Sequence, residues 1–211
     1  NVGNGQFLDG GPASPPGVAF SWFPETSIGY RDHIADLDGD GDLDVAAYYG
    51  FTAWNDGTGF FTPGVGFTGG VPCASGDFDG NGHPDLVIAR NARIEIAYGN
   101  NRVFGGYLNT QVFAAGGDGD DAAASAVDVD ADGDLDLVVC FGAVVLHRNL
   151  GARNWQEVVL DTNVTYLGRE FLHVADCDGD GILDVLAGQS VGPSFSWLRG
   201  RAGGTFDPAV L

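Results

Sequence analysis

Five aspartates fall within the ten residues ADLDGDGDLD at 35–44: Asp36, Asp38, Asp40, Asp42 and Asp44. Carboxylates crowded this closely repel one another unless something neutralises them. Counting Asp36 as position 1, acids stand at positions 1, 3, 5 and 9, with glycine at 4 and 6. Alternating oxygen donors around a tight glycine turn suit a hard cation. Calcium takes six to eight oxygens at flexible geometry, from carboxylates and backbone carbonyls. A solvated acidic turn is the plain alternative for a single copy.

The spacing recurs. GDFDGNGHPD at 76–85 carries Asp77, Asp79, Asn81 and Asp85 in the same frame. VDVDADGDLD at 127–136 carries Asp128, Asp130, Asp132 and Asp136, and ADCDGDGILD at 175–184 carries Asp176, Asp178, Asp180 and Asp184. From Asp36 to Asp77, Asp128 and Asp176 the steps are 41, 51 and 48 residues. Four acidic turns with one internal spacing are a repeat, and repeats of 40–50 residues are the size of a propeller blade. Position 6 is glycine in every copy (Gly41, Gly82, Gly133, Gly181), as a turn at positive φ requires. The apolar residues at positions 2 and 8 are expected to face a core while the acids face an ion.

A short apolar run follows each loop: LDVAAYYG, PDLVIARN, LDLVVCFG and LDVLAGQS. Their β-branched and aromatic content, and the turn formers that end them, read as strands. An EF-hand would close with Glu at position 12 and be flanked by helices. Here position 12 is Ala47, Ile88, Val139 or Ala187. Nine-residue β-helix repeats are excluded by the period. Frequent turn punctuation, with 35 glycines in 211 residues, fits short strands joined by tight loops. The fold class read from the chain is all-β, a β-propeller of four-stranded blades.

D-x-D-G-D-G-x-x-D, then a strand, then a glycine-rich turn such as WNDGTGFF at 54–61, resembles the FG-GAP/VCBS repeat of integrin α-chain propellers and secreted bacterial proteins. YGNNRVF, RNLGARNW and LRGRAGGTF match its second half more loosely. The resemblance implies one four-stranded blade per repeat, with the acidic loop joining the innermost strand to the second. It implies calcium held by the side chains at positions 1, 3, 5 and 9, and by the backbone carbonyl at position 7. That carbonyl would come from Asp42, His83, Asp134 and Ile182. The second loop departs from the pattern, with Asn81 in place of an acid and Pro84 before the last ligand. It should bind most weakly, since affinity follows ligand charge. The four loops together imply about four structural ions.

The expected organisation is one domain over 1–211, with repeats at about 30–66, 67–112, 113–161 and 162–211. Residues 1–29 would be a partial repeat and a connection: NVGNGQFL at 1–8 resembles a closing strand with no repeat of its own. Either four blades close with that strand packed on, or the propeller is larger, or another chain completes it.

The formal charge is −20, and all nine basic residues are arginine. Four bound calcium ions would leave it near −12. Such a surface has no footprint for nucleic acid, and no apolar run approaches a membrane span. With no methionine, the sequence is expected to be a mature or trimmed form. Calcium loops of extracellular modules bind in the 10⁻⁴–10⁻³ M range, which fits a secreted or cell-surface location. Cys73, Cys140 and Cys177 are expected to be buried small hydrophobes. NVT at 163–165 is a glycosylation sequon.

No nucleophile–base set, G-x-S-x-G, H-E-x-x-H or P-loop is present, and catalysis is not expected. His33 and His173, each three residues before a loop, are expected to pack on a narrow channel wall. The loops after each second strand should emerge opposite the acidic loops, and Tyr48, Tyr49, Phe51, Arg90 and Arg93 there are the candidates for ligand contact. Trp54 and Trp197 are expected in the packing. The function expected is a calcium-stabilised module that docks an extracellular glycan or protein. The alternatives are an accessory domain of a secreted polysaccharide-degrading enzyme, and a subunit of an extracellular assembly formed by self-association or with a second chain.

Overall fold

The computed structural model describes residues 32–48, 50–64, 66–67, 69–104, 110–114, 122–162, 170–189 and 195–210. The expected N-terminal strand, Tyr49, most of the acidic stretch 116–125 and the sequon lie outside them. The described residues form strands and turns, with no helix among them. None of them builds a helix long and apolar enough to cross a membrane.

Strands β1 (His33–Ala35), β2 (Asp44–Ala47), β3 (Phe51–Asn55) and β4 (Phe61–Pro63) form one sheet. β5 (Val71–Gly76), β6 (Asp85–Arg90), β7 (Arg93–Ala97) and β8 (Thr110–Ala114) form the second. β9 (Ala123–Val127), β10 (Asp136–Cys140), β11 (Val144–Asn149) and β12 (Trp155–Asp161) form the third. The fourth unit has β13 (Glu170–Ala175), β14 (Asp184–Gln189) and β15 (Phe195–Leu198), followed by a hairpin of β16 (Gly200–Arg201) and β17 (Thr205–Phe206). Val210 bridges back to Trp197. Each sheet is an antiparallel meander in sequence order, and each acidic loop joins its first strand to its second. These are the blades of a β-propeller, as the sequence led one to expect.

Blades stack through their pleat. On a strand, successive side chains point to opposite faces. The residues one and three places after each loop's last aspartate face the preceding blade, and the residue two places after it faces the next. Ala46 packs with Leu86 and Ile88, Val87 with Leu137 and Val139, and Val138 with Val185 and Ala187. Strands buried on both faces read as continuous apolar runs, which is why β6 and β10 show no alternation. First strands pack in a row, β1 on β5, β5 on β9 and β9 on β13. Described strands of the fourth blade do not pack on the first to a like extent.

Position 2 of the loops lies in these cores at Leu37, Phe78 and Val129. Cys177 and Leu43 depart from expectation. Leu43 is 58% exposed, and Cys177 is exposed while Cys140 is buried, none of the three cysteines being in a disulfide. Leu37 and Phe78 pack against a following blade, whereas Cys177 and Leu43 face the sides of the fourth and first blades on which no neighbour is described.

Candidate metal centres

Each loop is wound around its own carboxylates. Position 1 accepts backbone N–H bonds from further along the loop. Asp36 takes Gly39 and Gly41 at 2.7 and 3.0 Å, and Asp77 takes Asn81 and Gly82 at 3.0 and 2.7 Å. Asp128 takes Asp132 and Gly133 at 3.2 and 3.0 Å, and Asp176 takes Gly179, Asp180 and Gly181. Position 5 accepts the N–H of position 7: Asp40 from Asp42, Asn81 from His83, Asp132 from Asp134 and Asp180 from Ile182. The glycines at position 6 all have positive φ, between 84° and 98°. Ala131 has φ 61° where the other loops have glycine, so the third loop keeps its shape against a Cβ penalty.

The last aspartate of each loop is different in kind. Asp44, Asp85, Asp136 and Asp184 are wholly buried. One oxygen accepts the N–H of position 2 (Leu37, Phe78, Val129, Cys177) at 2.8–3.1 Å. The other accepts an N–H from the end of the third strand or just beyond it (Asn55, Gly99, Asn149, Gly200) at 2.7–2.8 Å. Burial raises the Asp85 pKa to about 7 and that of Asp136 to about 6, though both amides pull the other way. These acids tie loop to sheet whether or not a cation is present.

Three carboxylates converge in every loop: Asp36, Asp38 and Asp40; Asp77, Asp79 and Asp85; Asp128, Asp130 and Asp136; Asp176, Asp178 and Asp184. One oxygen from each lies within 4.8 Å of the others. Oxygens bound to one calcium at 2.3–2.6 Å cannot be much farther apart than this. Asp130 Oδ1 is buried without a hydrogen-bond partner, an orphaned acceptor that a cation would satisfy. The donor set is all oxygen, so the residues fit calcium. Asp132 and Asp180 stand outside the converging groups of their loops, and Asp42 and Asp134 turn their carboxylates toward the turn glycines Gly57 and Gly151.

Sequence reading missed the arginines. Every position-3 aspartate carries one: Arg102 on Asp38 at 2.5 Å, Arg153 on Asp79 at 2.6 Å, Arg148 on Asp130 at 3.3 Å and Arg199 on Asp178 at 2.6 Å. Arg102 and Arg153 come from the turn after the third strand of the following blade. They lie over Trp54 and Tyr98 of the blade they reach, at 5.6 and 3.8 Å from the ring centres. Arg148 pairs within its own blade and donates across to the Gly203 and Gly204 carbonyls of the next. The clue was that Arg148 and Arg199 each stand one place before the residue whose N–H meets the closing aspartate.

The ligand-contact candidates divide. Phe51 and Arg93 are exposed, and Tyr48 is half-buried against the core. Arg90 pairs with Glu95 at 3.0 Å within its hairpin. Gly70 donates to the Tyr48 carbonyl and lies against Arg90, so the first two blades' hairpins are neighbours. His33 Nε2 meets Ser75 Oγ at 2.9 Å across the first blade junction, and burial lowers its pKa. His173 is exposed and Trp54 buried.

This architecture and its loops define a protein built of β-propeller blades, each carrying an acidic loop between its first two strands. Residues 77–139, from the second acidic loop through most of β10, match the FG-GAP-like repeat family, which bears out the resemblance over that stretch. No curated protein matches the sequence. Among solved structures, a chain of the Photorhabdus luminescens Tc holotoxin pore, determined with a TccC3 mutation, is 18% identical with a TM-score of 0.44. The match covers 87% of this chain and 9% of that one.

Proposed function

We propose that the chain is a calcium-stabilised extracellular interaction module, a single propeller domain over 1–211 that docks a protein partner. The convergence of three carboxylates in each of four loops carries the metal reading. Bound calcium would neutralise carboxylates that otherwise repel, and it would be held by the acids at positions 1, 3, 5 and 9 with the position-7 carbonyl. Asp42, His83, Asp134 and Ile182 would supply that carbonyl. Weak calcium loops fill outside cells rather than in the cytosol, which supports a secreted or surface location. Exposed Phe51 and Arg93, beside Tyr48, offer the partner an aromatic and cationic contact.

The test is a thermal melt with native mass measurement, in calcium and in chelator. Ligand bound only by the folded state stabilises it by about 2.7 kcal/mol per site at a hundredfold excess over Kd. The expected result is a calcium-dependent rise in Tm with about four ions bound. Asp36→Ala, Asp128→Ala or Asp176→Ala should remove more of that rise than Asp77→Ala. A melt indifferent to calcium would defeat the reading, and equal losses at all four would defeat the weak second site.

A further inference from the structure

Every acidic loop has a cation on its position-3 aspartate, and the chain supplies it in two different ways. For the first two loops it comes from the turn of the following blade, as Arg102 and Arg153. Each stands two residues before the aromatic that follows its turn, Phe104 or Trp155, and each has positive φ, 69° and 61°. The matching places before Phe61 and Phe206 hold Gly59 and Gly204, at φ 86° and 66°. A left-handed conformation suits glycine and costs a residue that carries a Cβ. Backbone strain of this kind persists where it serves a site. For the last two loops the cation comes from the same blade, as Arg148 and Arg199. These occupy the place that Trp54 and Tyr98 hold in the first two blades, one residue before the N–H that meets the closing aspartate. Arg102 and Arg153 lie over those two rings. Where Arg148 supplies the charge, the following turn has Gly204, and a Cβ there would lie 2.8 Å from Arg148 Nη2. Ring with arginine, or arginine with glycine, puts one guanidinium at the same acid.

Acid and cation differ in their freedom. The side chains of Asp38 and Asp79 are 3% and 7% exposed, those of Arg102 and Arg153 46% and 40%. A buried carboxylate is costly to leave without a partner, whereas an exposed guanidinium gives up its pair at little cost. The arginine is therefore the exchangeable half. Both acids also belong to the converging groups. At Asp79 one oxygen takes the Asn81 N–H at 3.2 Å and the other takes Arg153 Nε and Nη2 at 3.1 and 2.6 Å. An ion drawing on this carboxylate must share it with the guanidinium.

We propose that the four arginines are resident counter-cations: each neutralises its position-3 acid in the ion-free protein, competes with calcium for that acid, and so holds the affinity of its loop down. This rests on the calcium reading and adds what sets the strength of binding. By reciprocity, whatever calcium takes from the ion pair, the ion pair takes from calcium. In the first two loops the competitor belongs to the following blade, which couples the ion to the blade junction.

The test is native mass spectrometry at stepped free calcium, with calorimetric titration alongside, on the wild type, Arg153→Gln and Arg153→Lys. Arg153→Gln should lower the free calcium needed for one uptake step by about threefold to fivefold, the worth of an exposed ion pair. The same variant should melt below the wild type in chelator, and that gap should close as calcium is added. A merely structural arginine would act the other way, since a loosened loop binds its ion less well. Arg153→Lys keeps the charge and should titrate like the wild type. Arg102→Gln makes the same measurement at the first loop if circular dichroism shows Arg153→Gln unfolded. A wild type that takes up calcium, with glutamine variants that bind it equally or more weakly, overturns the counter-cation proposal and leaves the calcium reading standing. A lysine variant as tight as the glutamine one also overturns it. A wild type that takes up no calcium overturns both.

Discussion

Asp136 and Asp132 stand four residues apart in one loop, and their surroundings have little in common. Asp136 is wholly buried and holds the amides of Val129 and Asn149 at 3.0 and 2.8 Å. Asp132 is exposed, stands outside the converging group, and holds the Asp134 amide at 2.9 Å. A repeat that reads as one set of equivalent ligands therefore contains two kinds of acid. One is engaged by two amides of the fold and converges with Asp128 and Asp130, and the other is exposed and stands outside that group. The buried closing acid recurs in the other loops as Asp44, Asp85 and Asp184.

The sharpest way to break the comparison is Asp136→Ala against Asp132→Ala, both in chelator. Removing Asp136 orphans two backbone amides, at about 1–3 kcal/mol each. The expected loss is about 2–6 kcal/mol by denaturant unfolding, from two such groups. Asp132→Ala should stay within about 0.5 kcal/mol, as surface substitutions do. Equal losses would mean that burial does not separate the two acids. With calcium present both variants should lose further stability, since positions 5 and 9 are both proposed ligands of the ion.

Much of this was legible in the chain. The period gave blades, the apolar runs gave second strands, and the spacing placed the acids in four loops. What stayed hidden depends on neighbours. That Asp136 is a brace depends on Asn149, thirteen residues away, whose Nδ2 also donates to the Phe78 carbonyl of the preceding blade. That Arg153 reaches Asp79 depends on blades being adjacent, at a separation of 74 residues. Local spacing shows which residues can bind an ion, but not which of them the sheet has already engaged. The exposure of Leu43 and Cys177 escaped for the same reason: a repeat pattern does not reveal what lies against each face of a copy.

Burial of a titratable group has its own signature in the third blade. His147 is almost wholly buried, stacks on Phe113 with centroids 4.0 Å apart, and has its pKa lowered from 6.5 to about 4 by burial. Glu157 lies 3.9 Å from Nδ1. Because its folded pKa lies below its unfolded value, the unfolded chain takes up the proton first. Stability is therefore lost as pH falls from about 6.5 toward 4. A displacement of this size corresponds to on the order of 3 kcal/mol at its full extent. Asp85 and Asp136 act in the opposite sense, since their raised pKa values favour the folded state as pH falls. Comparing wild type with His147→Phe removes that common background. The gap between their melting temperatures should shift in favour of the variant across that window, and a constant gap would show that the imidazole does not titrate on unfolding.

The smallest expected effect concerns the arginines, and it bears on whether the exposed acids are free for an ion. Arg153 gives Nε and Nη2 to Asp79 at 3.1 and 2.6 Å and covers the Tyr98 ring. Its side chain is 40% exposed, so solvent screens the pair and Arg153→Ala should cost about 1 kcal/mol in chelator, mostly from the ring contact. A double-mutant cycle with Asp79→Ala isolates the ion pair. If calcium draws on the same carboxylate, the coupling measured in chelator should shrink when calcium is added, because Asp79 then has a divalent partner. A coupling unchanged by calcium would mean that guanidinium and ion do not share this acid, and would place Asp79 with Asp136 among the residues that serve the fold.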